Sequence, residues 1–231
     1  MIERHEFNSS WWGSDTGILT DSSFFKLNLE EQRKYLTPYD WVEFRCLYSK
    51  VRNFSEIVRA GFFQVDIQCR YRLDLNKVKN NPNLNMLEVI PASDKIFEFD
   101  VSKIKGFDYE RYHTLENVTS NLVNNRYINW SKKLISRFPK LCLEIKYESK
   151  VQGWILAEEI EDILNMNLGI MRLDSTISGL IMYRKAILTY AQMGYRVCEA
   201  SFSVNNHIVH NIHANLGARF LEPELFWFWI A

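Results

Sequence analysis

The stretch from Leu141 to Val204 limits the fold more than any other part of the chain. Leu141 to Tyr147, Val151 to Glu158 and Ile163 to Leu173 each read as a strand. Glu148-Ser149-Lys150 and the acidic run Glu159 to Asp162 are the only joins between them. Joins that short require antiparallel neighbours. A helix follows from about Ser178 to Met193, with Lys185, Thr189 and Gln192 as its polar stripe and Gly194 as its stop. Arg196 to Val204 is again a strand, so Ile163 to Val204 forms a β-α-β unit and implies a parallel pair. Asn205 or Asn206 caps a last helix that stops at Gly217, and Leu225 to Ile230 is an aromatic final strand. The expected class is α+β, built on a mixed sheet.

The first half is also mixed. Trp41 to Cys46 alternates as a strand, and Asn53 caps a short helix carrying Phe54, Ile57 and Val58 and ending at Gly61. Phe63, Val65, Ile67, Cys69, Tyr71 and Leu73 alternate with Gln64, Asp66, Gln68, Arg70, Arg72 and Asp74, the pattern of a half-buried strand. Residues 76–85 hold five Asn and a Pro and read as a loop, which places a domain boundary between 1–85 and 86–231. Leu87 to Ile90 reads as a short strand, and Thr114 to Ser136 as one or two helices.

Composition narrows the function. Twenty-eight basic residues balance twenty-eight acidic ones, so the chain carries no net charge to draw it to nucleic acid or an anionic membrane. No apolar run approaches the ~18 residues of a membrane span. No basic-then-apolar leader opens the chain, and Cys46, Cys69, Cys142 and Cys198 are widely spaced. The expectation is a cytoplasmic protein with free thiols and no metal. The aromatic strand from Phe226 to Trp229 is open to two readings, core or homodimer surface.

Three places can carry chemistry. The first is the turn Leu173-Asp174-Ser175-Thr176-Ile177-Ser178-Gly179-Leu180, where a helix N-terminus offers bare N–H groups to a phosphate. Ser175, Thr176 and Ser178 add hydroxyls and Gly179 admits close approach; the plainer reading is capping and relief of crowding. The second is the last helix, where Asn206, Val209, His213 and Gly217 share a stripe beside the apolar Ile208, Ile212 and Leu216. His213 then lies at the border of core and cleft, where it either transfers protons or simply reaches water. With His207 and His210 it could ligate a metal, but no carboxylate or cysteine completes the set. The third is Phe107 to His113, an arginine among aromatic residues suited to planar or phosphorylated ligands, or merely a polar helix entry.

The order and punctuation of the second half resemble the GNAT superfamily of acyl-CoA-dependent N-acyltransferases. The whole chain is similar to the dTDP-fucosamine acetyltransferase group, whose N-terminal half is a partial copy of the same fold. The pieces carrying the resemblance are "WWGSDTG", "AGFFQVDIQCRYRLDL", "ERYH", "RYINW" and "LGI…SGLIMYRKAILTYAQMGY" through to the last helix. The family's Q/R-x-x-G-x-G/A turn falls on Asp174, Ile177 and Gly179, of which only Gly179 agrees, and Asp174 would repel a phosphate it faced. The family's N-x-x-A-x-x-x-Y-x-x-x-G falls on Asn206, Val209, His213 and Gly217. His213 then stands where the family has its proton-donating Tyr, as an imidazolium titrating near neutral pH.

The resemblance implies acetyl-CoA as co-substrate. Met171 and Leu173 would hold the pantetheine on a splayed central strand, and Ser175, Thr176, Ile177, Ser178, Gly179, Leu180 and Asn206 would complete the cofactor site. Arg111, Tyr112, His113, Tyr127 and Trp130 would line the acceptor side, with Glu158 as base and Glu144 as its rival. The implied partner is a small-molecule amine, first a nucleotide-linked amino sugar. Alternatives are another amine (peptide, polyamine or antibiotic) and a scaffold that binds coenzyme A without catalysis.

Overall fold

The computed structural model describes residues 1–51, 53–116 and 118–231, which form two compact units. One unit comprises Met1–Cys69 and Glu222–Ala231, the other Arg70–Leu221. The first contains β1 (Ile2–Arg4), α1 (Glu6–Trp12), β2 (Thr16–Leu19), α2 (Leu29–Leu36), β3 (Trp41–Leu47), α3 (Phe54–Arg59) and the first part of β4 (Phe63–Asp74). The second holds the rest of β4, β5 (Leu87–Pro91), α4 (Ser120–Arg137), β6 (Cys142–Tyr147), β7 (Lys150–Ile160) and β8 (Ile163–Met171). It continues with α5 (Gly179–Gln192), β9 (Val197–Ser203), α6 (His207–Asn215) and β10 (Arg219–Phe220). The final strand, β11 (Glu224–Ile230), belongs to the first unit. The Asn-rich loop expected to separate two domains thus lies inside the second unit, and the chain passes between units within β4.

In the first unit β11 is antiparallel to both β3 and β4, while β2 runs parallel to β3 and antiparallel to β1. Phe24, Phe25, Phe44 and Phe62 pack edge to face under this sheet, with ring centroids 4.9–6.4 Å apart. Phe226, Trp227 and Phe228 are buried, so the aromatic strand is core within its own unit. The alternation expected along β4 is interrupted. The register slips opposite Phe226 and Trp227, and Asp66 and Gln68 are buried. Their side chains pair with each other at 2.5 Å, which satisfies polar groups that would otherwise be costly to desolvate.

In the second unit β5, β6, β7 and β8 form an antiparallel meander, with β9 parallel to β8. The hairpin turns are two residues each, Glu148-Ser149 and Glu161-Asp162, all with positive φ. That conformation matches the right-handed twist of the flanking strands and shortens both joins relative to the sequence reading. Thr119, Ser178 and Asn206 cap α4, α5 and α6, and Gly194 and Gly217 adopt positive φ just beyond α5 and α6.

Candidate functional site

The parallel pair β8–β9 is brief. Its register covers Leu164↔Cys198 and Asn165↔Glu199, although β8 runs on to Met171. Beyond Asn165 the two strands part. Arg172 donates its N–H to the Gln152 carbonyl, so antiparallel alternation turns the main-chain groups of Gly169 and Met171 away from β7 and into the gap. A second consequence was not expected from the sequence. The Lys105 N–H donates to the Met171 carbonyl at 2.8 Å, and the Leu173 N–H donates to the Lys103 carbonyl at 2.9 Å. Residues 103–105 therefore form a short antiparallel rung on the same edge, with Ile104 opposite Arg172. The donor expected at Leu173 is thus engaged within the chain, and the Leu173 side chain is exposed.

The turn into α5 is also partly filled. Gln152 is buried on β7, and its side-chain oxygen accepts from the Thr176 N–H (2.8 Å), the Ser175 hydroxyl (3.1 Å) and the Thr176 hydroxyl (3.2 Å). Those donors, expected to meet a phosphate, close on a neutral amide. Ser178 caps the Ile181 N–H. The N–H groups of Ile177, Ser178, Gly179 and Leu180 find no partner among the described residues. They leave the helix start with open donors and its partial positive charge. At Gly179 a Cβ would press on Ile212 Cδ1 at 2.8 Å, so this glycine lets α6 pack close to the start of α5. Asp174 does not stand as a bare repelling charge. Arg172 holds it by two hydrogen bonds, of 2.7 and 2.9 Å, and this contact keeps its carboxyl below the usual carboxylate range.

His213 departs furthest from expectation. Instead of bordering a cleft it is buried, 1% exposed, and stacks on Tyr71 with ring centroids 4.0 Å apart. Phe202 and Tyr183 complete its surroundings at 5.7 and 5.0 Å. Its Nδ1 has no partner among the described residues. Burial, helped by the nearby His210, pushes its pKa down to about 3. The ring is neutral at physiological pH, which corrects the expectation of an imidazolium proton donor. A single sequence places a residue on a helical stripe but does not show that aromatic rings from β4 and β9 close over it. His207 and His210 are exposed, and no group of metal ligands occurs among the described residues. Asn206 caps α6 by accepting from the Val209 N–H at 3.2 Å.

Tyr183 was missed by the sequence reading. A Cβ at Gly169 would overlap its hydroxyl, so the missing side chain on β8 makes the space in which that hydroxyl sits. The hydroxyl finds no hydrogen-bond partner among the described residues, and burial raises its pKa to about 12. Glycine at position 169, five residues after Leu164 on a predicted central strand, is the one sequence signal that marked this spot.

The expected acceptor residues do come together, largely in contact with one another. Tyr112 is buried and its hydroxyl accepts from Arg111 (3.1 Å) and Arg126 (3.0 Å). The Arg126 guanidinium lies over the Tyr112 ring at 4.3 Å. Tyr127 is buried between Phe107, stacked at 4.3 Å, and Trp130 at 5.8 Å. The His113 ring nitrogen meets the Phe107 carbonyl at 3.1 Å. Tyr109 approaches His207 edge-on at 5.9 Å, which brings this cluster to the start of α6. Of the two candidate bases, Glu144 is buried and held by Lys95 (2.7 Å) and the Trp154 N–H (3.1 Å). Glu158 is partly exposed, opposite Asn165 where β8 and β9 part, and accepts from the Asn167 amide at 2.7 Å.

No protein-family model matches the chain, and no curated protein matches it by sequence. Solved structures do match. A GCN5-related N-acetyltransferase from Sphaerobacter thermophilus aligns with a TM-score of 0.54 at 14% identity, over 87% of this chain and 64% of that one. Another, from Kribbella flavida, gives 0.54 at 10% identity, over 93% and 80%. The fold is the GCN5-related N-acetyltransferase fold. The GNAT fold also appears in a glucosamine N-acetyltransferase region of a fungal multi-domain GH3 β-N-acetylglucosaminidase. That match has a TM-score of 0.60 at 7% identity, over 94% of this chain and 30% of that protein. This chain therefore spans less than two thirds of the Sphaerobacter and fungal proteins. The parted strands β8 and β9 and the start of α5 lie together at the centre of the candidate site.

Proposed function

We propose that the protein is an acetyl-CoA-dependent N-acetyltransferase whose acceptor is a small amine, first a nucleotide-linked amino sugar. The observation that carries this reading is the parting of β8 from β9 after Asn165. At the far end of that gap, four helix-start amides from Ile177 to Leu180 stay unpaired among the described residues. A parted parallel pair offers main-chain donors and acceptors along a groove, and a helix N-terminus at its end favours a diphosphate. Arg172, partly exposed beside that terminus, is paired with Asp174, so the two together add no net charge there.

Transfer requires the amine to attack as the free base, since an alkylammonium with a pKa near ~10.4 holds its lone pair in an N–H bond. Glu158, beside the point of parting, takes that proton directly or through water. The amine nitrogen then bonds to the thioester carbon, and the carbonyl oxygen gathers charge facing the Gly169–Met171 main chain. As the C–S bond breaks, the Tyr183 hydroxyl donates a hydrogen bond to the departing sulfur. A phenol held near 12 does not surrender its proton to a thiolate of pKa ~8.5, so the proton the sulfur finally takes comes from the nitrogen. Neutral His213 packs edge-on against the Tyr183 ring and transfers no proton in this scheme. On the acceptor side, Arg111, partly exposed and beside Glu110, suits a nucleotide diphosphate, and Trp130 suits a ring. The amino-sugar choice draws support from the fungal GNAT-fold region, which is described as acting on glucosamine.

A second reading, a coenzyme A-binding scaffold without turnover, is favoured by the Gln152 side chain filling the Ser175–Thr176 donors. Calorimetric titration with acetyl-CoA, followed by thiol-release assays on dTDP- and UDP-linked amino sugars and on polyamines, separates the two. Saturable binding and thiol release with an amino sugar are expected. A Tyr183→Phe enzyme should lose about 10²-fold in kcat with little change in KM. Binding with no turnover on any amine makes the scaffold the correct account.

A further inference from the structure

The edge of β8 that faces the gap is covered by the chain itself where it meets the α5 turn. Segment 103–105 lies antiparallel to Met171–Leu173, joined by the Lys105 N–H to the Met171 carbonyl and by the Leu173 N–H to the Lys103 carbonyl. A ligand arm laid along β8 needs that same edge, because the opposite edge is taken by β7. The segment's hold is short. Ile104 is buried and acts as its one apolar anchor, whereas Ser102, Lys103 and Lys105 are exposed. Running into it and sharing Lys103, Val101–Lys103 makes a single helical turn capped by the Asp100 carboxylate, which also pairs with Lys103 at 3.0 Å. Just after it comes Gly106, and then the Phe107 N–H donates to the Asn124 side chain at 3.0 Å. A two-bond rung between a pre-formed turn and a glycine can detach without unravelling either flank.

We propose that residues 103–105 are a strap that closes the β8 edge in the free protein and must leave it for an acyl-CoA thioester to lie along β8. The strap lowers apparent affinity by the fraction of molecules in which it is closed. It also couples ligand entry to the segment carrying Arg111 and Tyr112, since residues 103–113 are continuous and Phe107 stacks on Tyr127. Entry of the thioester would therefore loosen the chain that leads into the aromatic cluster. This inference rests on the acyl-CoA reading of the gap.

The test is amide hydrogen exchange by NMR on the full chain, with and without saturating acetyl-CoA, alongside calorimetry on wild type and Lys105→Pro. Proline removes the Lys105 donor and with it one of the two rung bonds. The expected result is slow exchange at Lys105 and Leu173 in the free protein. Acetyl-CoA should accelerate exchange at Lys105, and Lys105→Pro should bind it about fivefold more tightly. If wild type binds acetyl-CoA while Lys105 stays equally protected, the strap is wrong and the function reading stands. If neither wild type nor Lys105→Pro binds acetyl-CoA, the function reading fails and the strap falls with it. Should Lys105→Pro fail to fold, exchange in the wild type decides alone.

Discussion

The first unit's parallel pair, β2–β3, keeps register from Thr16↔Trp41 to Leu19↔Phe44, the whole length of β2. The second unit's parallel pair, β8–β9, keeps it for two positions and then parts. The aromatic clusters differ in the same sense. Around Phe24, Phe25, Phe44 and Phe62 the packing is hydrocarbon on hydrocarbon. Around His213 the rings are Tyr71, Tyr183 and Phe202, with an imidazole nitrogen unpaired among the described residues and a phenol hydroxyl beside a glycine. A fully paired, all-apolar arrangement maximises stability. A parted strand with polar aromatic rings at its root sacrifices some of that stability and leaves room for chemistry.

The largest expected effect tests the apolar side of this contrast. Phe228 is fully buried in the first unit, 5.0 Å from Trp41. Phe228→Ala should cost about 3–5 kcal/mol in urea denaturation and leave the acetyl-CoA affinity of the folded protein unchanged. A large change in affinity would mean that the first unit takes part in the site.

A smaller effect tests the polar cluster through pH. Unfolded, His213 titrates near 6.5; folded, near 3. As pH falls, the unfolded chain binds this proton first, so the folded state is penalised. The stability associated with a neutral His213 is complete above about pH 6.5 and is lost as pH falls towards 3, at up to ~1.4 kcal/mol per pH unit. His213→Phe should remove that part of the slope, so urea midpoints for the two proteins should converge or cross on acidification to about pH 5. Parallel curves would show that the ring is solvated in the folded state. Turnover by His213→Phe should survive, because no proton passes through it.

The smallest effect concerns the loop. Asp174→Gln frees Arg172 from its exposed carboxylate partner, and acetyl-CoA should bind severalfold more tightly at low salt, with the gain shrinking as salt rises. Affinity that does not move would place Arg172 away from the diphosphate.

Local chemistry made the meander, the two helix starts and the aromatic last strand legible. Glu148-Ser149 and Glu161-Asp162 leave room for nothing but hairpins, and Ser178 and Asn206 are caps by residue type. The helix after Asn53 and the helix after Leu173 also begin where their capping residues predict. The candidate site was legible only in outline. Gln152 reaches the Ser175–Thr176 turn from 23 residues away, and Lys105 meets Met171 across a longer stretch of chain that includes α4, β6 and β7. Neither contact leaves a local pattern in the chain.

The amino-acid sequence by itself determined the type and approximate span of β3, α3 and β4 and of most elements from β6 to β11, while β1, α1, β2, α2 and β10 left no pattern that was read. Periodicity, caps and tight turns act over a few residues, and a single chain displays them. The tertiary structure alone decided that β8 and β9 part, that His213 is sealed and neutral, that Tyr183 meets Gly169, and that β11 joins the first unit. Each of these depends on side chains and strand edges brought together from distant positions, where desolvation and competition for the same backbone groups set the outcome.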